Sequence, residues 1–338
     1  MVAAMKGSPT RRLILSALLI VSLRCGRSAA ADEPLRPLLG DWSLTQESGQ
    51  PAWMRITLEE GEPRVAIRFY VGPAGPYEAQ FIDGGLTLTI RRRERPSRPG
   101  SVTEVTVRPT DDGVAGTVER TFSDGHRESD RFVGHRIPPM PEQPPDLDRT
   151  RFGHPIALFN GRDLTGWQPH EPGKINGWRA IDGELVNQTP KTDFSATGDH
   201  ANLRTVAEFG DFWLHLEFLI EPDRNSGVYL RGTYEAQVVD RDSRMQGLQG
   251  VGAIFGAIAP SENAGYEGGR WQTYDLTLVD RHVTVVLNGR RVIDNQPVSA
   301  PTAGAIVTDP TAPGPIYLQG DHTAVRYRNL YLAPVIRD

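Results

Sequence analysis

The sequence predicts an all-β protein, with a small antiparallel β-barrel or curled sheet in its first half and a jelly-roll β-sandwich in its second. Three observations carry that prediction. The 35 glycines and 27 prolines show no collagen-like period and fall between short runs rich in β-branched and aromatic residues. Those runs alternate apolar and polar residues, which is the period of a half-buried strand. Asp-Gly and Asn-Gly pairs, which supply the positive φ angles of tight hairpins, punctuate them, and residues 150–338 contain no amphipathic pattern three helical turns long. A length of 338 residues is enough for about two domains with separate cores.

Residues 1–31 read as a signal peptide. Lys6, Arg11 and Arg12 precede the apolar run 13–21, and the segment ends in Ser28-Ala29-Ala30-Ala31. A basic start, a short apolar stretch and a small-residue exit match a secretory leader cleaved near Ala31, and the apolar stretch is too short to span a bilayer. The mature chain is expected outside the cytoplasm, in the periplasm or beyond it, with no membrane span. Cleavage removes Lys6, Arg11, Arg12, Arg24 and Arg27 and no acidic residue, which takes the formal charge from −5 to −10. It also removes Cys25, the single cysteine. The exported form therefore has no disulfide and no thiolate nucleophile, and its acidity disfavours nucleic acid as a partner. Catalysis has to come from carboxylates, histidine, arginine or a divalent metal held by oxygen and nitrogen, and the sequence fixes no cofactor.

Residues 38–136 form the first folded unit. Strands are predicted at 53–58, 65–70, 86–91, 102–107 and 116–122, separated by Asp83-Gly84, Asp112-Gly113 and Asp124-Gly125. Gly40-Asp41-Trp42 has the Gly-x-Trp opening of lipocalin-like barrels. The segment 137–150 is a proline-rich linker, since five prolines between Ile137 and Asp146 favour extended, unpaired backbone. Residues 151–338 carry predicted strands at 212–220, 227–231, 234–240, 272–279, 282–287, 314–319 and 325–332. Many short strands without helical crossovers point to two antiparallel sheets face to face.

Familiar signatures are missing from this half. Gly250-Val251-Gly252-Ala253-Ile254-Phe255-Gly256 has one residue too many for a dinucleotide fingerprint and no helix after it. There is no His-Glu-x-x-His, no Gly-x-Ser-x-Gly and no phosphate-binding loop. The informative stretch is Asn225-Ser226-Gly227-Val228-Tyr229-Leu230-Arg231-Gly232-Thr233-Tyr234-Glu235-Ala236-Gln237-Val238-Val239-Asp240. Alternation puts Glu235 and Gln237 on one strand face and Ala236 and Val238 on the other, and Ala and Val suit the inter-sheet core. Tyr229 and Arg231 share a face in the preceding strand. Asp240 joins Glu235 only across a bulge. A groove with Tyr229, Arg231, Glu235, Gln237 and Asp240 suits a carbohydrate, and the same residues also fit a polar face held by cross-strand ion pairs. Glu217 with His215 is either part of that groove or an ordinary polar face. Trp271 is either a sugar-stacking platform or a core plug. In Leu318-Gln319-Gly320-Asp321-His322, Gln319 and Asp321 are candidate substrate contacts, and His322 is a base, a metal ligand or a structural histidine.

Taken together, Leu158-Phe159-Asn160-Gly161-Arg162-Asp163-Leu164-Thr165-Gly166-Trp167, Asp182-Gly183-Glu184-Leu185, Phe209-Gly210-Asp211-Phe212, the Asn225 stretch, Trp271, Asn288-Gly289 and the region 314–329 resemble the 3-keto-disaccharide hydrolase domain family over about residues 153–335. The resemblance implies a concanavalin-like sandwich and cleavage of glycosides already oxidised at C3. In that chemistry the ketone acidifies the C2 proton, a base removes it, the C1 substituent leaves and water adds. The resemblance makes Glu235 or His322 the base and Arg231 the partner of the oxyanion, with Asp240 and Gln237 orienting hydroxyls or holding a divalent ion. The chain reads Gln319-Gly320-Asp321-His322 where many relatives read Gln-Asp-His-Gly. Two other readings stand beside it: an ordinary jelly-roll glycosidase using Glu235 and Asp240, and a noncatalytic carbohydrate-binding module.

Overall fold

The computed structural model describes residues 33–69, 74–94, 99–190 and 199–337. The expected leader with its cleavage point, and Tyr70 at the end of one expected strand, lie outside the described residues. The first half contains β1 (Gly40–Gln46), β2 (Pro51–Glu59), β3 (Glu62–Phe69), β4 (Tyr77–Ile82), β5 (Gly85–Arg92), β6 (Ser101–Thr110), β7 (Gly113–Phe122) and β8 (Arg127–Ile137). Each strand pairs with the next, and β8 pairs back onto β1 to close an eight-stranded barrel. Closure leaves no free sheet edge. Alternate side chains, among them Leu44, Met54, Ile56, Val65, Ile67, Leu88, Val105 and Val107, fill the interior.

Trp42 ties the barrel's first and last strands together. Its Nε1 donates to the Leu38 carbonyl at 2.8 Å, and the Arg136 guanidinium lies 4.3 Å from its ring centroid. Arg136 in turn donates to the carbonyls of Pro37, at 2.7 Å, and Leu39. The sequence expectation lacked β1, β4 and β8. In β8 only Phe132 and Ile137 are buried, so its charged outward face hides the period.

The second half contains β9 (Ile156–Ala157), β10 (Trp167–Pro169), β11 (Trp178–Ile181), β12 (Glu184–Asn187), β13 (Leu203–Thr205), β14 (Phe212–Leu219), β15 (Ser226–Leu230), β16 (Tyr234–Val238), β17 (Trp271–Val279), β18 (His282–Leu287), β19 (Arg290–Pro297), β20 (Tyr317–Leu318) and β21 (Val325–Pro334). One sheet runs β10-β13-β20-β15-β16; the other runs β11-β12-β21-β14-β17-β18-β19, with β9 beside β21. Between them lies one core, to which β14 contributes Phe212, Leu214, Leu216 and Phe218, and β15 and β16 contribute Val228, Leu230, Ala236 and Val238. Each fully buried Val, Leu or Phe among them stabilises the fold by about 2 kcal/mol. A one-residue slip of β14 would exchange those four for Trp213, His215, Glu217 and Leu219 and so bury two charged or polar groups, which fixes the register. The expected strand 314–319 shrinks to Tyr317–Leu318, and 234–240 stops at Val238.

The proline-rich segment runs against the sandwich. Arg281 Nη1 donates to the Pro138 carbonyl at 2.7 Å, and Asn295 Nδ2 donates to the Pro145 carbonyl at 3.0 Å. Among the described residues no helix is long and apolar enough to cross a membrane.

Candidate active site

Strand pairing builds the site. Residues opposite one another in an antiparallel pair point to the same face. Tyr317 lies opposite Tyr229, and Tyr229 opposite Glu235; Gly227 lies opposite Gln237 and accepts the Gln319 amide at 2.9 Å. Two rows of polar side chains therefore leave the five-stranded sheet on the side away from the core, while Val228, Ala236 and Leu318 face into it. The face assignment of Glu235 and Gln237 agrees with the alternation. Strand β16 is last in its sheet, and segment 250–258 covers its edge: Gln237 N donates to the Ala253 carbonyl at 3.0 Å and Phe255 N to the Glu235 carbonyl at 2.9 Å.

The rows open into a cavity of about 200 Å³ lined by Tyr229, Glu235, Gln237, Gln319, Asp321 and His322, with Asn202, Asn225, Met245, Phe255, Ala303, Gly304 and Tyr317. Asn225 is its hub. Its Nδ2 donates to Gln319 Oε1 and to His322 Nε2, both at 3.1 Å, and its Oδ1 accepts from Gln237 Nε2 at 2.8 Å. His322 Nδ1 lies 2.5 Å from Asp321 Oδ1. These partners assign the proton to Nδ1 and leave the acceptor lone pair on Nε2. Asn202 Oδ1 holds the loop by accepting the amides of Gly320 and Asp321 at 2.7 and 3.1 Å. A Cβ on Gly320 would lie 2.4 Å from Trp178 and from Asn187, so only glycine lets the loop pack there.

Glu235 is 3% exposed, and burial pushes its carboxyl up to about 8. The neighbouring Tyr229 hydroxyl opposes the shift and the negative charge of Asp321 adds to it. That shift favours the protonated carboxyl at neutral pH. Tyr229 donates to the Ala303 carbonyl at 2.8 Å, so protonated Glu235 can give its hydrogen to the Tyr229 oxygen with every group satisfied. Gly227 makes room for the carboxyl: a Cβ there would lie 2.2 Å from Glu235 Oε1.

The structure does not bring four of the expected residues here. Arg231 leaves the strand at φ +55°, and its guanidinium turns to the Asp211 carboxylate at 3.4 Å and the Pro310 carbonyl at 2.8 Å. Asp240 lies beyond the end of β16 and caps the backbone amides of Asp223 and Asp242 at 3.3 and 2.9 Å. Glu217 faces outward on the other sheet, bound to Arg328 Nε at 2.7 Å and Asn329 Nδ2 at 2.6 Å. Trp271, neither core plug nor pocket platform, lies on that sheet under the Arg328 guanidinium, 4.0 Å from its ring centroid. Among the described residues the lining holds no arginine or lysine. Asn202, Met245, Phe255, Ala303, Gly304 and Tyr317 were missed because they come from loops and a two-residue strand without periodicity. Asn225 opened the informative stretch, and its short polar side chain before a glycine-containing strand was the available signal. Among the described residues no group of three or more His, Cys, Asp or Glu side chains is placed to share a metal ion.

Fold and site together define a two-sheet antiparallel sandwich with a polar pocket on the outer face of its five-stranded sheet. The chain belongs to the family of 3-keto-alpha-glucoside-1,2-lyase-like domains, whose sequence model matches residues 154–333. Among solved structures it is similar to a "putative glycosyl hydrolase" of Parabacteroides distasonis, with 20% identity over 54% of this chain and 94% of that one and a TM-score of 0.45. A second protein so described from the same organism has 24% identity over 57% and 93%, with a TM-score of 0.42. A β-1,3-1,4-glucanase from a mouse hindgut metagenome has 13% identity over 54% and 99%, with a TM-score of 0.31. No curated protein matches the chain.

Proposed function

We propose that the protein is an exported enzyme that cleaves 3-keto-glycosides by elimination across C1 and C2 followed by hydration. One observation carries the reading: a neutral, buried carboxyl and an Asp–His pair face one sugar-sized pocket. The C3 ketone of the substrate acidifies the C2 proton. His322 Nε2 removes it as Asn225 Nδ2 gives up its hydrogen bond to that lone pair and keeps the one to Gln319, and Asp321 on Nδ1 stabilises the imidazolium that forms. The electron pair passes through the C2–C3 enolate, forms the C1–C2 double bond and breaks the bond from C1 to the leaving oxygen, which takes the Glu235 proton. In the second half water adds its hydroxyl to C1, Glu235 recovers the water proton and His322, whose proton has by then exchanged with solvent, protonates C2. A neutral carboxylic acid is suited to meet developing negative charge on the leaving oxygen, and among the described residues the pocket is lined by no arginine or lysine. Gln237 Oε1, buried without a hydrogen-bond partner in the described structure, offers an acceptor to a sugar hydroxyl. The leader-like residues 1–31 support action outside the cytoplasm.

The family and the neutral acid both favour this route over a glycosidase that pairs Glu235 with Asp240, because Asp240 is occupied by backbone amides outside the pocket. The test incubates the mature protein in deuterium oxide with a disaccharide and with its 3-keto derivative. Cleavage of the keto sugar alone, with deuterium at C2 of the product, is the expected result. Cleavage of the plain disaccharide alone would overturn the reading.

A further inference from the structure

We propose that the N-terminal barrel is a positioning element of this active site, acting through Arg68 on a strap, residues 298–314, that forms one wall of the pocket. The strap follows β19 and, apart from backbone bridging between Phe209 and Gly314, has no strand of its own. A segment of that length and composition keeps its shape only through contacts on both sides.

On one side it holds the reacting groups. Thr302 N donates to the Thr233 carbonyl at 3.0 Å, and Thr302 Oγ1 accepts the Glu235 amide at 3.0 Å. The next residue, Ala303, accepts the Tyr229 hydroxyl, and Gly304, at φ +80°, passes so close that a Cβ would lie 2.5 Å from the Tyr229 oxygen. Ile306 N and Val307 N then close on the Gly232 carbonyl at 2.8 and 3.1 Å. The backbone of the acid and the hydroxyl beside it are thus set by three consecutive strap residues.

On the other side the barrel holds the strap at three points. Arg68 of β3 donates to the Pro301 carbonyl, one residue before Thr302. Ser43 of β1 shares a buried hydrogen bond with Thr308 at 2.9 Å, and His135 of β8 lies 2.9 Å from the Asp309 carboxylate. Arg68 also lines, with Phe255, Pro301 and Thr302, a cavity of about 270 Å³, while Phe255 lines the catalytic pocket too. A guanidinium on a closed barrel is a rigid anchor, whereas a free strap would let Thr302 and Ala303 move away from Glu235 and Tyr229. Arg68 touches no reacting atom in this reading, so it is a positioning residue.

The catalytic part of this inference rests on Glu235 being the reacting acid; the mechanical part does not. The experiment measures amide hydrogen exchange on the full mature chain and its Arg68→Ala, Arg68→Lys and Ser43→Ala variants, with kcat and KM on the 3-keto disaccharide alongside. In Arg68→Ala the amides of Glu235, Thr302, Ile306 and Val307 should exchange at least about tenfold faster while those of β17 and β18 stay unchanged. The same variant should lose kcat by about tenfold with little change in KM, and Arg68→Lys, which keeps a donor for Pro301, should recover most of both. Ser43→Ala should loosen the strap at 306–308 and provides the reading if Arg68→Ala does not fold. Unchanged strap exchange, or exchange raised equally through β17 and β18, overturns the proposal. Loosened strap amides with an unchanged kcat overturn the catalytic part. If the wild type shows no turnover of the keto sugar, the assigned reaction fails while the exchange measurements still decide whether the barrel holds the strap.

Discussion

Replacing Glu235 by glutamine removes an ionisable group whose proton the fold holds far beyond its ordinary range. The carboxyl is raised from 4.5 to about 8, with burial as the leading cause and the charge of Asp321 adding to it. Because the native state keeps the proton while the unfolded chain loses it, stability is highest below about pH 4.5, falls as pH rises and reaches its full loss above about pH 8. At roughly 1.4 kcal/mol per pH unit, the loss is on the order of 5 kcal/mol. Glutamine keeps the neutral shape and cannot ionise, so its offset from the wild type should drift with pH by that amount. Urea denaturation of both proteins between about pH 5 and pH 9 measures the drift: the glutamine variant gains relative to the wild type as pH rises, with unchanged m-values. Parallel stability curves across that window would refute both the buried neutral carboxyl and its role as an acid. The wild-type kcat should fall above about pH 8, where Glu235 ionises, and the variant should lose about 10²–10⁴-fold in activity.

Four further outcomes follow from the same geometry. Gly227→Ala, which places a methyl 2.2 Å from Glu235 Oε1, should lower kcat/KM by about 10²-fold and stability by about 1–3 kcal/mol, read by steady-state kinetics and urea denaturation. Asp321→Asn replaces the charged acceptor on His322 Nδ1 with a neutral amide and removes a charge that raises Glu235; kcat should fall by at least about 10²-fold and its alkaline limb should move to lower pH in a pH–rate profile. Asn187→Ala leaves the carbonyls of Gly320 and Thr323 without the donor they share at 2.7 and 2.9 Å, and thermal unfolding should report a loss of about 2–4 kcal/mol. Glu217→Gln, on the outer face of the other sheet, should keep kcat/KM within about twofold, and a large loss would move the site to that face.

Legibility in the sequence followed burial on one face. Strands β3, β6, β14 and β17 bury alternate side chains, and their period is visible in the sequence for that reason. The two-residue strands β9 and β20 are too short to show a period, and β8 buries too few residues. The same rule placed Glu235 and Gln237 correctly on one face. It failed for Arg231, because a left-handed turn residue no longer obeys the alternation of the strand it leaves.

The sequence by itself determined an all-β chain in two halves, a leader-like start, the family and the strand that carries Glu235. Periodicity, turn chemistry and composition are local properties, and each can be read without knowing which segments meet. Only the tertiary structure decided that β8 closes onto β1, that Asp321-His322 sits against Asn225 from nearly a hundred residues away, and that burial raises the Glu235 carboxyl. It also decided that the strap between β19 and β20 reaches both Glu235 and the barrel. Protonation state and pocket lining depend on which distant groups exclude water from a given atom, and no local pattern along the chain encodes that.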